Sequence, residues 1–357
     1  MRVQLSRRVP SRRDEGAVAA LVAILLPLLM LMAAAAVDVS AAWATKRNLS
    51  VAADGAALAA AGRIGEVAPI NPGNCEEVLT STAISAAISA AQASEQGTAP
   101  GSSIVVGQPR CVDNGTAIEV QVSNSKEVQS FFLSALKLFG GNPQPLTPKQ
   151  QATARIGPAT TVTGLRPFAI CLATAQNAMA RPNQTFVADL NNKIGICGTT
   201  EPGNWGTVDF NGGAYGANDL ADWTRNGYPG AITIDRQLPA GRMPRPGEID
   251  GPLTSLLDQV VLLPVVTRYN HTRGVNNPSF DTVAFVGAKI CGYSLNNKIG
   301  RGSCWDASKA AKYIDNKVDF LEFQYVNYST SSYPGAGGSC AFGSSCDMGV
   351  TGVSLYK

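Results

Sequence analysis

Residues 17–37 read AVAALVAILLPLLMLMAAAAV, and Asp38 is the first charge after them. At 1.5 Å of rise per residue this uncharged run makes a helix of about 31 Å, the hydrocarbon thickness of a bilayer. Its leucines, isoleucine and valines, at about 0.3–0.6 kcal/mol each, favour insertion by roughly 3–6 kcal/mol. Pro27 removes one backbone hydrogen bond, which membrane helices tolerate. Arg2, Arg7, Arg8, Arg12 and Arg13 precede the run, against only Lys46 and Arg47 shortly after it. The positive-inside rule therefore makes residues 1–16 a basic cytoplasmic leader, 17–37 a single transmembrane helix, and the bulk of the chain extracytoplasmic. A cleaved secretory signal competes with this reading, because Ala34 and Ala36 offer the small residues that signal peptidase reads. Against it, the run exceeds the usual apolar region of about 7–15 residues, and helix-forming sequence continues beyond it.

From Asp38 to Ala61 alanine dominates, with no proline and Gly55 as the only glycine, so the membrane helix is expected to continue outward as one rod. Gly62 is the expected stop. Ala52, Ala56 and Ala60 share one face of that rod, a small-xxx-small surface for close helix packing. The same residues also read simply as a high-propensity alanine helix.

Beyond the rod, Asn74 with Glu77 approximates a capping box for a second helix, whose buried face is Leu79, Ala83, Ile84, Ala87, Ile88 and Ala91. Strands follow at Ile104–Val106 and at Ile118, Val120 and Val122, the latter alternating with Glu119 and Gln121, with Asp113-Asn114-Gly115 as the turn between. The period then changes: Phe131, Phe132, Ala135, Leu136 and Phe139 predict a helix from Val128, closed by Gly140-Gly141. Ala152, Ala154 and Ile156 predict a closing strand after a proline-rich linker. Residues 38–158 thus read as a helix-plus-sheet module. In 159–357, apolar runs at Phe168–Leu172, Ala231–Ile234, Val260–Val266, Val283–Ile290 and Val318–Tyr325 stand between Gly, Asn and Pro clusters, which predicts a mostly β module. The fold class is α+β.

All eight cysteines (Cys75, Cys111, Cys171, Cys197, Cys291, Cys304, Cys340 and Cys346) lie beyond the apolar run. In an oxidising compartment they are expected to pair, each bond adding about 2–4 kcal/mol. Connectivity does not follow from sequence. Pairing of neighbours gives Cys75 with Cys111, Cys171 with Cys197, Cys291 with Cys304, and Cys340 with Cys346. No Cys-x-x-Cys occurs and the single histidine, His271, is remote, so neither a zinc site nor a cofactor is expected. Neither a Gly-x-Ser-x-Gly elbow nor a phosphate-cradling loop is present, and Asp219 with Asp222 reads as a solvated face. The chain is therefore not expected to be an enzyme. Its net charge of +3 lies within the leader, which argues against nucleic acid as a partner.

The series Arg12-Arg13-Asp14-Glu15-Gly16, the apolar run, Asp38, and then Ala52-Ala53-Asp54-Gly55-Ala56-Ala57-Leu58-Ala59-Ala60-Ala61 resembles the N-terminal region of TadE/TadG-like proteins. These are membrane-anchored, pilin-like components of the bacterial tight-adherence (Flp pilus) assembly machinery. Asn204-Trp205-Gly206-Thr207-Val208-Asp209-Phe210-Asn211-Gly212-Gly213 also resembles a segment of TadG-like proteins. Prepilin peptidases generally want glutamate five residues past their glycine. Leu21 stands there after Gly16, so the resemblance implies an uncleaved, TadG-type anchor. It further implies a structural assembly role, with the lipid bilayer and other pilin-like subunits as partners. A pilus-independent, membrane-tethered module binding a surface ligand is the alternative, and an exported hydrolase a third reading.

Overall fold

Helix α1 (Arg13–Val67) runs unbroken through 55 residues of the computed structural model, Pro27 included. The structure describes residues 13–130, 145–190, 197, 206–212, 217–241, 247–270, 279–330 and 340–356. The expected basic leader up to Arg12, the aromatic helix from Phe131 on, Trp205 and His271 lie outside the described residues. α1 does not stop at Gly62. It continues to Val67, because Gly62 and Gly65 are packed against neighbours and do not take up the positive φ of a C-cap. A Cβ at Gly65 would collide with the side chains of Thr351 and Ile156, so glycine there lets the helix approach a strand.

The second helix comes in two pieces, α2 (Cys75–Val78) and α3 (Ser81–Thr98). Asn74 Oδ1 accepts from Glu77 N at 3.1 Å, and Glu77 Oε2 accepts from Gly73 N at 2.8 Å. Thr80 then caps again, its Oγ1 accepting from Ala83 N at 3.1 Å. Two good N-caps so close together divide the helix. Strands β1 (Ser103–Val106), β2 (Arg110–Val112), β3 (Ala117–Ser125) and β4 (Lys149–Pro158) follow. β2 is a strand the sequence reading lacked. It meets β3 through a turn in which Asp113 and Asn114 adopt positive φ.

The remainder contains β5 (Thr161–Val162), β6 (Ile170–Cys171), α4 (Leu172–Ala180), β7 (Thr185–Asp189), α5 (Ala217–Asn226), β8 (Ile232–Thr233) and β9 (Gln237–Pro239). After these come α6 (Asp250–Leu256), β10 (Val260–Asn270), β11 (Ser279–Leu295), β12 (Lys298–Arg301), α7 (Ala307–Asp315), β13 (Phe320–Val326), β14 (Tyr328–Thr330) and β15 (Val350–Tyr356). The main path of the second sheet is β6-β10-β11-β13-β7, with β9 and β12 attached to β11. Its core includes Phe168, Leu263, Phe280, Phe285 and Phe323. Phe168–Leu172 is mostly not a strand: after two residues of β6 the chain turns into α4, whose Ala175, Ala178 and Met179 are buried at helical spacing.

The first sheet has the order β1-β3-β4-β15-β14, with β2 on β3. β4 is therefore an inner strand and does not close the sheet as its position in the sequence suggested. β15, from the far end of the β-rich half, pairs antiparallel with it from Thr351↔Pro158 to Tyr356↔Thr153. β15 also joins the two cores, since Val350 belongs to the second and Val353 to the first. The chain is thus a long N-terminal apolar helix followed by mixed sheets.

Candidate functional site

The surface that sets this chain apart is the N-terminal half of α1. Side chains from Val18 to Val37 meet almost nothing; Ile24, for instance, is 73% exposed. Among the described residues α1 is the one helix long and apolar enough to cross a membrane, and none of them buries its most apolar stretch. An uncovered leucine-rich stretch of this length has no stable place in water.

The environment changes at Asp38. That residue is buried, and its carboxylate accepts a hydrogen bond from Ser130 Oγ. One lock follows further along the helix: Asn124 Nδ2 donates to Leu49 O at 2.8 Å and to Glu95 Oε1 at 2.9 Å, while Ser102 Oγ donates to Glu95 Oε1 at 2.5 Å. These bonds tie α1, α3 and β3 together. Glu95 extends the buried i, i+4 series Ala83, Ala87, Ala91. A carboxylate on an apolar helix face was the signal for this lock that sequence reading missed.

Ala52, Ala56 and Ala60 are completely buried. Ala56 and Ala60, with Ala53, Ala57, Ala61 and Ile64, pack with Ala87 and Ala91 of α3 and with Ile118, Val120, Val122, Ala154 and Ile156 of the sheet. Ala52 packs beside Leu49 and Ala99. The small residues do permit close approach, but to the chain's own helix and sheet.

On the sheet, Glu119 is not wet as its alternation implied. It is buried between Arg110 at 2.6 Å and Arg155 at 3.1 Å, and these guanidinium groups, Arg110 foremost, lower its pKa. Arg155 also lies over the Tyr356 ring at 3.3 Å.

The structure places the cysteines at bonding distance as Cys75 with Cys111, Cys171 with Cys197, Cys291 with Cys304, and Cys340 with Cys346. The last pair closes a short knuckle whose Phe342 enters the first core beside Cys75 and Val78. Asp347 holds the knuckle by accepting from Gly343 N at 3.0 Å and Gly349 N at 3.2 Å, and burial raises its pKa. Burial likewise raises the pKa of nearby Tyr325, whose hydroxyl donates to Asn327 Oδ1 at 2.7 Å. Asn327 Nδ2 in turn donates to Ala68 O, just past α1, at 2.9 Å. A small cleft remains there among Gly65, Asn71, Phe342, Asp347 and Thr351.

Asp219 and Asp222 lie exposed on α5, where Asp222 accepts from Asn226 Nδ2 at 2.6 Å. No group of three or more His, Cys, Asp or Glu that could hold a metal ion occurs among the described residues.

Residues 16–63 match the Tad family model, Flp pilus-assembly TadE/G-like. The Tad-like stretch lies entirely within α1 and takes in the exposed apolar run, Asp38 and the alanine stripe. The sheets lie outside it. None of the curated proteins and none of the solved structures matches the chain.

Proposed function

We propose that this chain is a structural component of a Flp-type, tight-adherence pilus-assembly system or a related envelope secretion system. α1 anchors it in the cell membrane with the N-terminus cytoplasmic and the sheets extracytoplasmic. One observation carries this: the Tad-like match falls on the helix whose apolar half is uncovered and whose outer half is built into the folded region. Continuity of α1 joins the anchor and the folded region into a single mechanical piece, which suits a subunit that holds others in place more than one that turns over a substrate. With the alanine stripe occupied, the other subunits meet the outer face of α1, where Val51 is 58% exposed, or the sheet surfaces. Leu21 at the position where processing wants glutamate supports the retained, TadG-type form.

A photo-crosslinking residue at Val51, carried by the full chain in its native membrane, tests the reading. Adducts with other pilin-like subunits, together with loss of pilus-dependent adhesion on gene deletion, are the expected result. Unimpaired adhesion in the deletion strain points instead to a pilus-independent surface binding module, which the β-rich half beyond the match would serve.

A further inference from the structure

We propose that the end of the folded region nearest the membrane rests on the lipid headgroups, with Trp43 in the headgroup layer and Lys46, Arg47, Lys126 and Lys149 engaging anionic phospholipid. The proposal rests on the reading of α1 as a membrane span and adds a second, lateral contact to it.

The unbroken helix supplies a ruler. Counting from Val37, the last residue of the apolar run, Trp43 stands roughly 9 Å out and Lys46 and Arg47 roughly 14–15 Å out. The headgroup region occupies about 5–8 Å on each side of the hydrocarbon. Side chains on a helix tilt toward its N-terminus, which here is toward the membrane, so all three reach back to that layer. Trp43 is 65% exposed, and Lys46 and Arg47 on the same stretch of α1 are exposed as well. Tryptophan favours the membrane interface because its ring is apolar and its N–H polar.

β3 brings further cations to the same level. It is pinned to α1 at Leu49 through Asn124, and the chain has descended to Asp38 by Ser130. Lys126 lies between those two pins, and Lys149 pairs through β4 with Ser125 beside it. Lys126 donates to Pro100 O at 2.8 Å, which leaves further N–H groups on its ammonium, and Lys149 is exposed. Against these four cations, Glu127 is the exposed carboxylate at the same level among the described residues, while Asp38 and Glu95 are buried in hydrogen bonds of their own. The resulting positive collar is complementary to lipid phosphates at the place where the helix leaves the bilayer.

The full chain is reconstituted in vesicles carrying either dansyl-phosphatidylglycerol or dansyl-phosphatidylcholine, and tryptophan-to-dansyl energy transfer is measured. The W43F variant isolates the share due to Trp43. Transfer to the anionic probe is expected to exceed that to the zwitterionic one about two- to fivefold. The excess should vanish in K46Q/R47Q/K126Q/K149Q, and in the wild-type protein at high salt, a control that needs no variant to fold. Equal transfer to both probes, an excess that survives the quadruple variant, or a W43F signal equal to wild type overturns the collar. Resistance to carbonate extraction in those cases leaves the span standing. Release by carbonate removes the span itself, and the collar with it.

Discussion

At Gly65 a single hydrogen in place of a methyl group decides whether α1 can lie against β15. Its Cβ position is filled by the Thr351 hydroxyl and the Ile156 Cδ1 methyl, both belonging to buried side chains with little room to shift. Gly65→Ala is therefore expected to destabilise the fold by about 1–3 kcal/mol despite alanine's higher helix propensity, as read by denaturant titration in detergent. Titrating residues give the second expectation at this scale. Glu322 is buried in β13, accepts from Asp306 N at 3.2 Å, and has its pKa raised by burial. A raised folded-state pKa means that the native state holds the proton more tightly than the unfolded chain. Stability from this group is full below the unfolded value near 4.3 and is lost as pH rises through the folded value. Glu322→Gln should therefore melt progressively higher relative to wild type as pH climbs from about 4 toward 8. A melting difference that shrinks over that range contradicts the assignment. Glu119 has the opposite sign: its arginines lower its pKa, so its contribution is present above the unfolded value and fades in acid.

Among the elements, α1 shows how one period serves two solvents. Its first half is apolar all round and suits lipid, while the second keeps alanine on the face toward α3 and the sheet. Substituting Ala56 by leucine places a large side chain where a methyl group is already completely buried. The expected loss is about 1–3 kcal/mol, with α3 exchanging its amide hydrogens faster than β11. The bond between α2 and β2, Cys75 with Cys111, closes a loop of sequence separation 36. Replacing both cysteines by serine is expected to cost about 2–4 kcal/mol and to lower the melting temperature only under non-reducing conditions. The second helix marks the limit of reading by pattern. Asn74 with Glu77 was legible as a cap, but Thr80, another N-cap six residues on, divided the helix, and only the packed structure shows both caps in use.

For the molecule as a whole, the last strand is the strongest constraint. β15 fills the first sheet between β4 and β14, and Phe342 from the knuckle before it is buried in the first core. Phe342→Ala should cost about 3–5 kcal/mol. Its exchange signature is expected in α2 and β2, over two hundred residues away in sequence. Opening confined to the knuckle would contradict this account.

The sequence by itself determined what depends on neighbours along the chain: a membrane-length apolar helix, its alanine-rich continuation, and the alternation of β3 and β4. Each is set by a local period or a local charge. Tertiary structure alone decided what covers the alanine stripe, why Glu95 and Glu119 are buried, and that β15 returns to lie beside β4. Those outcomes depend on which distant groups can satisfy a buried carboxylate or fill a sheet edge, and no periodicity records that. The exposed half of α1 differs, because the described residues supply it with almost no cover, and its apolar surface suits a bilayer.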